Sequence, residues 1–294
     1  MADAEPVPHF VGQKGDYLGV RCFKFPPLVT LVLVATILIV HFSTSADDRS
    51  DWKYGDPDLP DVHWYGSLSA VLSHVDNNHA VFNSIALLFA GSLLESTEGP
   101  LRFLAIAWAA ATIGFACHGA MSDNYAIGAS GVVYGVTWCQ LAILALNWAE
   151  MPLRLFRLAA VVGLALLETI TYNTAYKPTI AYGAHWGGAA AGIVTGIVLA
   201  VNVKLRPFEI YLNWAGVAVY IVLVVICFGF GQAAAACLAA ILVPVLIISA
   251  FRQTRAAQRL KQASGVETSI TATAANNPQE AQPRAKCPRN LARP

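Results

Sequence analysis

Apolar runs long enough to cross a bilayer return along most of this chain at spacings of about 20 to 30 residues, and nothing constrains its fold more. A hydrocarbon core of ~30 Å needs ~20 residues of helix, and a helix satisfies its own backbone hydrogen bonds in lipid. A closed barrel would do the same, but it needs ten-residue segments alternating with period two, and these are absent. The 294 residues are 56% hydrophobic and 13% charged with a mean hydropathy of +0.53, roughly half the ~25% charged content of soluble domains. The expected class is an all-α, polytopic, integral membrane protein.

The runs predict spans at about 27–43, 78–95, 101–120, 130–149, 153–172, 182–203, 212–230 and 233–251. One helix over the last two would be ~60 Å long at ~1.5 Å per residue, twice the membrane, and Gly229-Phe230-Gly231-Gln232 supplies the break. Eight spans are expected, with seven as the alternative if one of these two lies in the interface. Cytoplasmic connections hold the excess of Lys and Arg. Lys14, Arg21 and Lys24, then Arg102, then Arg154 and Arg157, then Lys204 and Arg206, then Arg252, Arg255, Arg259 and Lys261 fall in alternate connections. Both termini are therefore expected to be cytoplasmic, in the plasma membrane or an endomembrane. The loop from about 44 to 66 would face outward, with Asp47, Asp48, Asp51, Asp56, Asp58 and Asp61 against Arg49 and Lys53.

Acidic Asp3, Glu5 and Asp16 argue against a transit peptide, and no small-residue cleavage site follows the first run, which reads as a retained span. Cys22, Cys117, Cys139, Cys227, Cys237 and Cys287 are scattered without a Cys-x-x-Cys pair, so neither a disulfide framework nor a zinc site is expected. A net charge of +1 points to no particular partner, and no nucleic-acid partner is expected. From about 262 onward the Ala, Thr, Gln, Asn and Pro-rich chain reads as a disordered tail.

Reactive polar residues interrupt the runs. Ser130 opens the fourth span within Gly128-Ala129-Ser130-Gly131, and Tyr134 lies one helical turn on. His185 stands in the sixth span within Ala184-His185-Trp186-Gly187-Gly188. A serine hydroxyl is a poor nucleophile until a base within hydrogen-bond reach takes its proton. Gly188, Gly192 and Gly196 form a small-residue stripe below His185, and Gly131 and Gly135 offer the fourth span a matching flat surface. If these pack together, Ser130 and His185 end at the same depth. In the second span His79 and Asn83 share a face and are candidate donors for an oxyanion, with the Ser130 N–H as a third.

These motifs resemble those of the rhomboid intramembrane serine proteases. The resemblance rests on His74, His79 and Asn83 in the second span, on Gly128, Ser130, Gly131 and Tyr134 in the fourth, and on Ala184, His185, Gly188 and Gly192 in the sixth. Glu95, Gly99, Arg102 and Phe103 between the second and third spans match a further trait. It covers about residues 25–203 and implies a six-helix core, to which the apolar runs beyond residue 203 add one or two extra C-terminal transmembrane helices. The expected organisation is a cytoplasmic segment over 1–26, a core over 27–203, additional spans over 204–251, and a basic then disordered tail over 252–294. By this resemblance Ser130 is the nucleophile, His185 the general base and then acid, and Tyr134 packs on the imidazole. His79, Asn83 and the Ser130 N–H hold the oxyanion, and neither cofactor nor metal is implied. The expected partners are transmembrane protein substrates and lipid. Many relatives carry Trp-Arg where this chain has Tyr65-Gly66, a departure that bears on the first outer loop rather than on the chemistry.

Each residue also has a plainer account. A serine among small residues in a helix interface commonly bonds only backbone, whereas an ionisable residue within a span is a functional candidate by default. His74 reads as a support of the loop-to-helix junction. His41, His63 and His118 read as interfacial or packed, and Glu168 as interfacial beside Thr169 and Thr171. Two other function classes fit a polytopic chain: a catalytically silent binder of client helices, and a small-solute transporter relying on Glu168. Binders of the first kind usually lack the Ser or the His, and no internal repeat of the transporter type is found.

Overall fold

The computed structural model describes residues 25–45, 52–55, 65–151, 154–175, 181–200 and 206–276. In chain order the helices are α1 (Leu28–Ser43), α2 (Gly66–Leu72), α3 (Asn77–Glu98), α4 (Pro100–Met121), α5 (Ser130–Leu146), α6 (Arg154–Ala175), α7 (Tyr182–Leu199), α8 (Pro207–Gly229), α9 (Ala233–Ala240) and α10 (Val243–Asn276). The sole extended pairing among the described residues is the antiparallel bridge between Tyr54 and Ala126. Among the described residues four helices are long and apolar enough to cross a membrane: Asn77–Glu98, Pro100–Met121, Pro207–Gly229 and Ala233–Arg259, the last counting α9 and the start of α10 as one span. Leu28–Ser43 and Ser130–Leu146 are shorter apolar helices. The chain is an all-α, multi-pass integral membrane protein.

Helix α7 is the centre of the bundle, wedged between α4 and α5. Its glycines allow this. A Cβ on Gly188 would collide with the Gly131 carbonyl, and one on Gly192 with the Gly135 carbonyl; at Gly196 it would sit 2.9 Å from Cys139 Sγ. On the other side a Cβ on Gly183 would lie 2.6 Å from His118 Cα. Around this trio α3 packs on α1 and α5, α6 lies on α5, and α8, α9 and α10 cover α7 and α4.

Buried polar groups fasten the helix ends. Helix α1 lacks a side-chain cap of its own. The Glu95 carboxylate on α3 instead accepts Val29 N–H at 3.0 Å, Thr30 N–H at 2.7 Å and the Thr30 hydroxyl at 2.7 Å, satisfying donors that a helix start leaves open. Gly99, at φ +92°, turns the chain from α3 into α4, with Pro100 at the first helical position where its missing N–H is harmless. The acid and glycine of the Glu95–Phe103 motif are thus structural parts of this corner.

The expected span at 233–251 is present, within the apolar stretch Ala233–Arg259, but it carries a break: Ile241 and Leu242 separate α9 from α10, because Pro244 cannot donate to the carbonyl four residues back and its ring crowds it. Nearby carbonyls find other donors, Leu238 O from the Trp108 indole at 2.8 Å and Ala239 O from the Tyr220 hydroxyl at 3.1 Å. Helix α10 also runs on to Asn276, beyond the point near 262 at which the composition reads as disordered. Ala, Gln and Glu in that stretch have fair helix propensity, and extending an existing helix costs far less than nucleating one. The short α2 has no counterpart among the expected spans.

Candidate functional site

Ser130 is the first residue of α5 and His185 lies in the first turn of α7. Because the glycine seam sets both helices at van der Waals distance, these starts lie side by side, and Ser130 Oγ is 2.8 Å from His185 Nε2. Both residues are buried. The Tyr134 ring stacks on the imidazole with centroids 4.4 Å apart and planes at 9°, and the Tyr134 hydroxyl meets Thr169 Oγ1 of α6 at 3.0 Å. An imidazole at this distance from a serine hydroxyl can accept its proton as the oxygen attacks.

The segment entering Ser130 is held residue by residue. Ala126 exchanges both backbone hydrogen bonds with Tyr54, at 2.8 and 2.9 Å. Gly128 N–H donates to Ala70 O of α2 at 2.8 Å, and Ala129 N–H donates to His74 Nε2 at 3.1 Å. Gly128 adopts φ +116°, and a Cβ there would lie 2.8 Å from the His79 ring, so both its conformation and its contacts demand glycine. The His79 ring therefore borders the turn that carries Ser130. Asp76 caps α3 by accepting His79 N–H at 2.8 Å. Asn83, fully buried one turn further along α3, donates its amide to His79 O at 3.1 Å.

The structure thus gathers Ser130, His185 and Tyr134 in direct contact, sets His79 against Gly128, and buries Asn83 on the same helix as His79. His74 sits at the loop-to-helix junction, where its ring supports the Ser130 turn. His41 is packed, with Nε2 2.9 Å from Asn77 Oδ1 and its ring edge-on to His74. The His118 ring meets Asn124 O at 2.8 Å. His63 and the side chain of Glu168 lie outside the described residues. Among the described residues no group of three His, Cys, Asp or Glu side chains gathers in a metal-binding arrangement.

Sequence reading missed Tyr54 and Gln232. Tyr54 comes from the loop between α1 and α2 yet is 2% exposed. Its ring lies 5.4 Å from Phe115, and its hydroxyl donates to Gln232 Oε1 at 2.7 Å. Burial pushes the Tyr54 phenol well above its ordinary value, so it remains a donor. With Lys53 over the Tyr125 ring at 4.2 Å, these contacts hold the 52–55 segment. Cross-chain ties of this kind leave no local pattern, and Tyr54 reads in sequence as one more loop aromatic.

A rhomboid domain model matches residues 61–202. Rhomboid-related protein 3 of Homo sapiens is 28% identical over 169 residues, 53% of this chain and 42% of the human protein. Rhomboid-like protease 1 of Toxoplasma gondii is 27% identical over 153 residues, 51% of this chain and 52% of that protein. Rhomboid protease GluP of Bacillus subtilis (strain 168) is 28% identical over 141 residues, 47% of this chain and 26% of its own length. The chain therefore matches about half or less of each relative. The matched residues carry α3 to α7, the glycine seam and the Ser130–His185 contact in one order, and by that domain the chain belongs to the rhomboid family.

Proposed function

We propose that this chain is an intramembrane serine endopeptidase that cleaves transmembrane protein substrates, with Ser130 as nucleophile and His185 as general base and then acid. The observation that carries the reading is the buried 2.8 Å contact between Ser130 Oγ and His185 Nε2, since an idle serine–histidine pair is an unfavourable use of a helix interface in lipid. The word protease in the names of the Toxoplasma and Bacillus relatives supports it further.

In this mechanism Ser130 Oγ attacks the scissile carbonyl while His185 takes its proton, and the imidazolium then protonates the leaving amine. The Tyr134 ring holds the imidazole in plane for both transfers. The oxyanion would be held by His79, Asn83 and the Ser130 N–H, each donor contributing about 100 to 1,000-fold in rate. A substrate helix must unwind locally to present its carbonyl, because a helical backbone hides that group in hydrogen bonds; helix-breaking Gly or Pro and a small residue before the scissile bond would favour cleavage. The alternating Lys and Arg pattern supports cytoplasmic termini and a site near the outer or lumenal face of a plasma membrane or endomembrane. Residues 27–203 form the proposed catalytic core and 204–251 the additional spans.

A fluorophosphonate probe tests the reading without a known substrate. Detergent-purified wild type is expected to be labelled, and Ser130→Ala and His185→Ala are not. Equal labelling of folded wild type and Ser130→Ala, or no labelling across about pH 6 to 9, would overturn it in favour of a catalytically silent binder of client helices.

A further inference from the structure

The appended helices α8 and α9 meet the core at the same end of the bundle as Ser130. Their connection is a fixed turn. Gly231, at φ +78°, occupies the left-handed region that glycine tolerates, and Gln232 N–H donates to Cys227 O at 2.9 Å. This turn presents the Gln232 amide into a notch on α4 left by Gly119, where a Cβ would stand 2.6 Å from Gln232 Oε1 and 2.9 Å from Nε2. The amide oxygen so placed accepts the Tyr54 hydroxyl at 2.7 Å. Tyr54 is in turn the residue whose backbone brackets Ala126, four positions before Ser130. Ser130 is thereby joined to the appended helices through one side-chain hydrogen bond and one pair of backbone hydrogen bonds.

We propose that Gln232 is a positioning residue for the Ser130 chemistry: through the Tyr54 hydroxyl it fixes the 52–55 segment, whose pairing with Ala126 sets the path of the chain into Ser130. The inference rests on Ser130 being the nucleophile, as proposed above. Its warrant is the steep dependence of such reactions on geometry, where a misplacement of ~1 Å costs on the order of 100-fold. The Ser130 turn has three holding points, at Ala126, Gly128 and Ala129, and only the first leads back to the appended helices. Loosening that one point is expected to have a partial effect.

The full-length protein in detergent is treated with a fluorophosphonate probe, and the maximal labelling rate and the probe concentration giving half that rate are measured separately, alongside the thermal midpoint. Gln232→Leu, which keeps the bulk and removes the acceptor, should lower the maximal rate about tenfold with the half-rate concentration unchanged. Tyr54→Phe should do the same, and the double variant should be no slower than either, since both remove one bond. Gln232→Glu, which keeps an acceptor for the phenol, should recover most of the rate. Wild-type rates in folded Gln232→Leu and Tyr54→Phe would overturn the inference, and so would a lowered thermal midpoint with no change in labelling rate, the mark of a purely structural tie. Failure of the parent reading looks different: wild type and Ser130→Ala then label alike, and the inference falls with it.

Discussion

The amide N–H of Ala129 is buried one residue before Ser130, and it donates to His74 Nε2 at 3.1 Å. Because Nε2 accepts, this imidazole is neutral and carries its proton on Nδ1. His74→Ala would leave a buried backbone donor without that acceptor, at a cost of about 1–3 kcal/mol, while His74→Gln offers an amide oxygen at similar reach. The expected outcome is a lowered thermal midpoint and slower probe labelling for His74→Ala, with both largely recovered in His74→Gln. Equal stability of the alanine variant and wild type would show that the bond contributes nothing. The contacts at this scale were partly legible. Ser130, His185 and Tyr134 stand out because their residue types are rare and spaced within single helices. Tyr54 and Gln232, 178 positions apart, do not, since no periodicity relates a loop aromatic to a distant turn. Thr169 is likewise visible only once α6 lies against Tyr134.

Helix α7 owes its place to residues that have no side chains. A Cβ at Gly192 would overlap the Gly135 carbonyl of α5, whereas a Cβ at Gly163 on α6 would meet nothing within 4 Å. Gly192→Ala must therefore push α7 away from α5 and take His185 with it, at an overpacking cost of about 1–3 kcal/mol or more. Gly163→Ala instead gains about 0.5–1 kcal/mol by restricting the unfolded chain. Thermal unfolding should separate the two in opposite directions, and probe labelling should fall only for Gly192→Ala. A matching response at both positions would mean that the seam does not set the Ser130–His185 distance. The seam itself could be read from the spacing of Gly188, Gly192 and Gly196, and the helices from the apolar runs, because a continuous run of that length without period-two alternation satisfies its backbone in lipid as a helix. The break before Pro244 and the helical continuation to Asn276 could not be read from apolarity. One depends on a single imino acid with Trp108 and Tyr220 supplying donors nearby, the other on helix propagation in polar sequence.

The whole molecule joins a family core to appended helices at two ends with different chemistry. At the Ser130 end the joint is the neutral hydrogen bond between Tyr54 and Gln232. At the start of α8 it is ionic: Arg206 bonds Glu150 at 2.6 Å, Glu209 at 3.0 Å and Leu146 O at 3.0 Å, tying α8 to the end of α5. Glu209 has a fully buried side chain while Arg206 is 25% exposed. Arg206→Met would take the guanidinium from the buried Glu209 carboxylate and leave it the backbone N–H of residue 206 at 3.1 Å, so the loss should come to about 1–3 kcal/mol, below the ~3–5 kcal/mol of a fully enclosed pair that loses its partner. This joint lies at the opposite end of α5 from Ser130. Its loss is expected to lower the thermal midpoint while the maximal labelling rate of the folded protein stays at the wild-type value, the reverse of the pattern expected for Gln232→Leu. Labelling that falls equally in both variants would mean that the appended helices act on Ser130 through the body of the bundle, by holding α5 and α7 together, rather than through the turn that reaches Tyr54.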